Sequence, residues 1–454
     1  MKELDLTQGS VPKVLLQFAV PFLIANVLQA LYGGADLFVV GQYDDSASVA
    51  AVAIGSQVMQ TITGIILGIT TGTTVLIAIA TGAKDNRKVA FTIGSSVWLF
   101  SITGVVLTLV MVLFHSRIAE LMHTPVEAMV DTKNYILVCS LGILFIVGYN
   151  VVCGILRGLG DSKTPLYFVG LACVINIVLD FILVGYFHWG ATGAAIATVT
   201  AQGVSFGIAL WFLYRHGFHF DFSRKDIRLN RNLSTKILVL GAPIALQDAL
   251  INVSFLIITV IVNQMGVIAS ASLGVVEKII VFAMLPPMAI SSAVATMTAQ
   301  NYGAGLIKRM NKCLASGIGI ALVFGVSVCV YSQFLPETLT AFFTKDAAVV
   351  AMAADYLRGY SIDCIVVSFV FCINSYFSGQ GNSLFPMIHS LIATFLFRIP
   401  LSYWFSQIDS SSLFIMGFAP PISTVVSLLI CIWYLRYTQR KLYLRGTMMP
   451  AMSN

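Results

Sequence analysis

Two carboxylates stand inside apolar runs of this chain, Asp36 in "ALYGGADLFVVG" and Asp180 in "INIVLDFILVGY". A carboxylate at the depth of a hydrocarbon core costs at least ~2.5 to 3.5 kcal/mol on insertion scales, so such acids usually face a cavity and mark an ion or substrate path. Asn176 precedes Asp180 by four residues, which puts both on one helix face. Counting at 1.5 Å per residue, Asp36, Asp180 and Thr198 lie roughly 8, 10 and 13 Å below the same membrane face. Two carboxylates close together in a poorly solvated pocket cannot both stay ionised cheaply. The set therefore accepts a proton, or holds a sodium ion in the oxygen shell that hard cations prefer. The competing structural reading has Asp36 bonded to a neighbouring helix and Asp180 paired with an Asn or Thr.

The elements that position these residues follow from composition. Of 454 residues, 58% are hydrophobic and only 10% charged, whereas soluble domains carry about a quarter of their residues as charges. The chain is expected to be an all-α polytopic membrane protein. At roughly 20 apolar residues per span, twelve spans lie near 11–39, 46–80, 88–114, 130–156, 164–187, 190–214, 234–263, 268–300, 308–334, 347–378, 384–406 and 413–435. The connections are short except between Tyr214 and Ser234, where "RKDIRLNRN" is basic and polar. That segment divides the chain into an N-lobe (1–215), a cytoplasmic linker (216–233) and a C-lobe (234–454).

Lys and Arg concentrate in loops that stay in the cytoplasm. With both termini inside, twenty of the 26 fall on the cytoplasmic side, and three (Arg117, Lys133, Lys345) fall outside. Lys278, Arg358 and Arg398 lie within spans. Topology thus accounts for the net charge of +6 and removes the reason to infer nucleic-acid binding. The polar start "MKELDLTQGS" and a first apolar run too long for a cleavable signal make the first span its own insertion signal. The eight cysteines show no C-x-x-C and the six histidines no H-E-x-x-H, so neither a zinc site nor an intramembrane enzyme is indicated.

The two halves repeat at a shift of about 221 residues. "RGLGDSKTP" (157–165) aligns with "SGQGNSLFP" (378–386), Tyr135 with Tyr356, Gly82-Ala83 with Gly303-Ala304, and Pro21 with Pro243 after one extra residue. Six spans per repeat make both halves enter the membrane in the same direction, as in transporters with a path between parallel repeats. Asp36 and Asp180 fall opposite Ile257 or Ile258 and Leu401. The scaffold does not need these acids, which favours function over structure.

The second half carries its own ionisable set, Asp248, Glu277, Lys278, Asp363 and Arg398. It reads either as an internal ion-pair network, for instance Asp363 with Arg398 or Lys278, or as a cation or coupling site. Gly64, Gly68 and Gly72 form a small-xxx-small face for close helix packing. Pro21, Pro243, Pro286-Pro287, Pro400 and Pro420-Pro421 interrupt spans and are candidate kinks.

The twelve spans in a six-plus-six repeat, with "AVPFLIANVLQALYGGADLFVVG", "RGLGDSKTP", "NIVLD", "GAAIAT" and "AQNYGAG" in that order, resemble a bacterial multidrug and toxic compound extrusion (MATE) transporter over about residues 10–440. The resemblance implies a V-shaped pair of pseudo-symmetric six-helix bundles in the bacterial cytoplasmic membrane. It also implies export of small organic cations or drugs in exchange for protons or sodium, with no cofactor beyond the coupling ion. In that family the first-lobe cation site uses an Asp of helix 1, an Asn and an Asp of helix 5 and a Thr of helix 6. These match Asp36, Asn176, Asp180 and Thr198, with Pro21 as the expected hinge of helix 1. One branch uses a Glu of helix 7 and an Asp of helix 10; Asp363 matches the latter, whereas Asp248 stands elsewhere on helix 7. The protein is expected to act as a monomer surrounded by lipid. The alternative is a flippase of lipid-linked oligosaccharide or lipid from the same superfamily, which needs a cavity rich in Lys and Arg.

Overall fold

The computed structural model describes residues 4–408 and 412–448; the extreme chain ends, expected in the cytoplasm, lie outside the described residues. The first half holds α1 (Val11–Tyr43), α2 (Ser46–Gly82), α3 (Asn86–Leu121), α4 (Met129–Leu141), α5 (Ile143–Leu159), α6 (Lys163–Asp180) and α7 (Gly190–His216). The second holds α8 (Arg231–Asn263), α9 (Val267–Gly303), α10 (Ile307–Phe334), α11 (Pro336–Ala341), α12 (Ala347–Ser361), α13 (Asp363–Gly379), α14 (Leu384–Ile392), α15 (Ile399–Ile408) and α16 (Ala419–Met448). Helices satisfy every backbone group within one segment, as a bilayer demands. Among the described residues ten helices are long and apolar enough to cross, and up to twelve spans result if the bent pairs α4–α5 (48°) and α12–α13 (43°) each count once. The twelve spans read from the sequence match this count, and its fourth and tenth are the bent pairs.

The repeat is visible in local geometry. Gly160 and its counterpart Gly381 adopt φ of +100° and +86°, which an L side chain disfavours, and so end the helices before them. The next residue, Asp161 or Asn382, turns its side chain to the start of the following helix. Asp161 accepts from the Lys163 and Thr164 amides, each at 3.0 Å, and Asn382 accepts from the Phe385 amide at 3.4 Å. The bends recur too: Gly142, where α4 meets α5, aligns with Asp363, where α13 begins. Each bend is followed by a tight i to i+3 bond, Phe145 to Gly142 at 3.0 Å and Ile365 to Ile362 at 3.1 Å. One π-helical turn, Phe181–Tyr186, follows Asp180, and another, Ala393–Arg398, ends at Arg398. Such turns are uncommon and often sit at functional positions.

By contact the chain divides into two units, Met1–Ala249 with Thr296–Met310, and Leu250–Ala295 with Asn311–Asn454. The divisions fall inside α8, α9 and α10. Within the first unit, Gly68 and Gly72 of α2 explain why the start of α8 belongs there. A Cβ on Gly68 would stand 2.6 Å from Ala245 Cα, and one on Gly72 2.5 Å from the Ile237 carbonyl. The facing Gly241 leaves the same room for Ile69. Gly64, third member of the small-residue face, has open space instead. At the end of α9, Asn301 Nδ2 donates to the Leu6 carbonyl at 3.1 Å, and the Arg309 guanidinium donates to the carbonyls of Leu6, Gln8 and Gly9. These bonds hold residues 6–9 against the same unit. Large apolar side chains such as Val106, Leu109 and Leu113 of α3 are exposed, as a surface facing lipid tails requires.

Gly68→Ala and Gly72→Ala should each destabilise the purified protein by about 1–3 kcal/mol through overpacking against backbone. Gly64→Ala should be neutral or slightly stabilising, because Ala favours helix over Gly by about 1 kcal/mol. Thermal unfolding midpoints of the three variants in detergent check this; equal shifts would show that packing does not distinguish them.

Candidate functional site

Asp36 lies in the last third of α1, Asn176 and Asp180 near the end of α6, and Thr198 on α7; both α1 and α7 pack against α6. The structure brings all four side chains together. Thr198 Oγ1 donates to Asp36 Oδ2 at 3.1 Å and receives a long bond of 3.4 Å from Asn176 Nδ2. A hydroxyl has one proton, so Thr198 serves Asp36 alone and cannot also serve Asp180. Asp36 keeps 4% of its surface, while Asn176 and Asp180 keep none.

The carboxyl groups of Asp36 and Asp180 lie within hydrogen-bonding reach of each other. That contact becomes a bond only when one of them carries a proton. As carboxylates they offer acceptors to each other, and Asp36 Oδ1, both Asp180 oxygens and Asn176 Oδ1 have no donor. Native interiors pair nearly all buried polar atoms. Four donor-less oxygens on three touching side chains therefore leave acceptors free for a hydrogen-bond donor or a cation. Among the described residues no three His, Cys, Asp or Glu side chains group as a metal site.

A second layer escaped the sequence reading. Tyr32, one turn before Asp36, lies near Gln202, one turn after Thr198. Hence α1, α6 and α7 each present two polar residues at i and i+4: Tyr32 and Asp36, Asn176 and Asp180, Thr198 and Gln202. The same spacing rule, applied to all three helices instead of α6 alone, would have found them. Tyr135 of α4, 2% exposed, also sits beside Asp36 and Tyr32. Its repeat counterpart Tyr356, 3% exposed, sits near Arg398, Glu277 and Asp363. Pro21 lies inside α1 without ending it.

The second-half set separates. Asp248 belongs to the first unit and Glu277, Lys278, Asp363 and Arg398 to the second. Lys278 is exposed and stands apart from the others' buried side. Asp363, the first residue of α13, is buried near Thr424, with no donor at Oδ1. Arg398 stacks its guanidinium on Phe255 at 4.4 Å. Among the described residues the ion pairs within 4.0 Å are Lys133–Glu120 and Arg358–Asp355, so the expected pairs of Asp363 with Arg398 or Lys278 do not form. The physical reason is direction: a charge on a span is aimed by its rotation about the helix axis, which depth counting does not supply.

A family model described as MatE matches residues 21–182 and again 243–404, so each copy starts at one of the repeat prolines, Pro21 or Pro243. Among curated relatives, "Probable multidrug resistance protein YpnP" of Bacillus subtilis is 29% identical over 89% of this chain and 91% of its own length. "Probable multidrug resistance protein NorM" of Thermotoga maritima is 27% identical over 86% and 85%. "Multidrug export protein MepA" of Staphylococcus aureus is 26% identical over 82% of each. Among solved structures, "Crystal structure of MATE in the straight conformation" superposes with a TM-score of 0.90 at 24% identity, over 97% of this chain and 99% of that one. "Crystal structure of MATE in the bent conformation" also gives 0.90, at 23% identity over 98% and 99%. At these identities the structural likeness shows the fold.

Asp180→Asn should leave the thermal unfolding midpoint in detergent unchanged or raise it, because the amide supplies donors to Asp36 and removes a buried charge without a donor, a defect of about 1–3 kcal/mol. A fall of several degrees would show Asp180 to be a structural partner instead.

Proposed function

Since the chain belongs to the MatE family, whose members are transporters and not enzymes, we propose that it exports small organic cations across the bacterial cytoplasmic membrane in exchange for protons or sodium ions. The relatives named for multidrug resistance favour this over the lipid-flippase alternative. The observation that carries the coupling reading is the donor-less set of buried oxygens on Asp36, Asn176 and Asp180. In this reading Asp36 and Asp180 hold the ion, Thr198 fixes the orientation of Asp36, and Asn176 contributes its carbonyl oxygen. Tyr32 of α1 and Gln202 of α7 lie near each other at the same place.

Coupling requires that ion and substrate prefer different conformations of the carrier. An ion bound at Asp36 and Asp180 draws α1, α6 and α7 together, and its release lets like charges push them apart. Pro21 removes one bond from the α1 ladder, so bending there costs less than elsewhere. The two sequence repeats, 1–215 and 234–454, are the parts that exchange access. The protein works as a monomer among lipids, with both ends in the cytoplasm on the strength of its basic loops.

Charge balance separates the stoichiometries. One ion entering for one monovalent organic cation leaving moves no net charge, so the membrane potential does no work. A second ion would add about 2.3 kcal/mol per 100 mV, roughly a fiftyfold gain in accumulation.

Dye export from cells or vesicles given a proton gradient, a sodium gradient or neither should be fast with one gradient and absent with none. Asp36→Asn and Asp180→Asn should each lower it at least about tenfold at normal membrane abundance, the scale expected when a charge-assisted interaction is lost. Full export by both variants would overturn the coupling assignment.

A further inference from the structure

Residues 4–9, ahead of α1, are gripped by elements far away in the sequence. The Leu4 amide donates to the Gly160 carbonyl at 3.3 Å, at the turn between α5 and α6. The Leu6 carbonyl accepts from Asn301 Nδ2 at 3.1 Å, and Leu6 itself is fully buried. Arg309, at the start of α10, donates to the carbonyls of Leu6, Gln8 and Gly9, the last at 2.6 Å. Gln300 Nε2 donates to the Gly158 carbonyl at 3.1 Å and ties the end of α9 to the same turn. One short segment thus bridges the α5–α6 turn of the first repeat and the α9–α10 turn of the second.

Beside this strap, the ends of α2 and α9 meet with no side chain between them. A Cβ on Gly82 would stand 1.9 Å from the Gln300 carbonyl, and one on Gly303 1.9 Å from the Ile79 carbonyl. Gly303 and Gln300 are the repeat counterparts of Gly82 and Ile79, so the two contacts form one symmetric closure. The lead-in to the second repeat makes the reciprocal crossing. Gly94 of α3 leaves room for the Asp226 carbonyl, and the Arg228 guanidinium lies 5.1 Å from the Phe91 ring. Each lead-in therefore lies on the third span of the other repeat. The two crossings differ in how they are held. The second continues from Phe218, Phe220 and Phe222, which pack on the core of the first unit, whereas Arg309 grips residues 6–9 by backbone carbonyls alone. Gln8 and Gly9 are exposed, so water replaces those bonds when the segment lifts, and the net cost of the exchange is modest.

We propose that residues 4–9 are a releasable latch, which Arg309 holds across the paired ends of α2 and α9 and whose release opens that end of the carrier to substrate. On the topology set by the basic loops this is the cytoplasmic end, where an exported molecule enters. The latch rests on the reading that the carrier alternates access, and it adds what holds one of the two states together.

The test uses the full-length protein with Gln8→Cys and Lys308→Cys, both exposed, in a chain whose own eight cysteines are buried. Joining the pair with a reducible bis-methanethiosulfonate linker should lower dye export at least about tenfold, and dithiothreitol should restore it, whereas a clamp with only a structural role would leave export intact when fixed. Spin labels at Arg87→Cys and Lys308→Cys, repeat counterparts at the starts of α3 and α10, read the closure in the absence of any gradient. Arg309→Ala should raise the ratio of long to short separations at least about tenfold, and Arg309→Lys, which keeps the charge but not the planar fork, should raise it less. If the Ala variant does not elute as a single species, the cross-link decides. Full export by the cross-linked pair, or an unchanged distance distribution in folded Arg309→Ala, would overturn the proposal. A protein that opens on loss of Arg309 but exports no dye under any gradient would refute the coupling reading alone.

Discussion

Hydrocarbon supplies no hydrogen bonds, so every polar group placed in a membrane span must find its partner inside the protein. The backbone meets this demand by staying helical and by closing its breaks with local bonds. The turns after Gly160 and Gly381 use Asp161 and Asn382 for the purpose, and the bends at Gly142 and Ile362 use tight i to i+3 contacts. Even residues 6–9 have their carbonyls taken up by Asn301 and Arg309. Against this economy, the oxygens of Asp36, Asn176 and Asp180 without donors stand out. Their neighbours supply one proton, from Thr198, where several are wanted.

The two repeats use one scaffold for two kinds of chemistry. Tyr135 and Tyr356 are equivalent and both buried, yet the first sits near Asp36 and the second near a mixed set that includes Arg398. A π-helical turn adjoins the charged residue in each case, after Asp180 and at Arg398. An extra residue in a turn rotates the rest of the span relative to a regular helix, so the turn is a local means of aiming one side chain without rebuilding the span.

Packing between helices depends on shape more than on polarity. Lipid tails are as apolar as leucine, so the approach of α2 to the start of α8 needs small residues that let backbones touch. Gly68, Gly72 and Gly241 provide it, and α8 is thereby drawn into the first unit across the point where the sequence has its linker. The same spacing at Gly64 faces open space. Periodicity nominated three glycines, and geometry used two.

Composition and periodicity by themselves determined the helical class, the spans, the repeat and the presence of acids at membrane depth, because each is a one-dimensional property of a chain crossing a slab about 30 Å thick. The i and i+4 rule placed Asn176 with Asp180, and depth counting set Asp36 and Thr198 at their level. Only the tertiary structure decided which way each charge points. It turned Lys278 outward, held Asp363 and Arg398 apart, brought Tyr32 to Gln202, and bent the fourth and tenth spans. These depend on rotation about helix axes, where one residue is about 100° of turn, and neighbouring helices set that rotation through contacts between residues far apart in the chain.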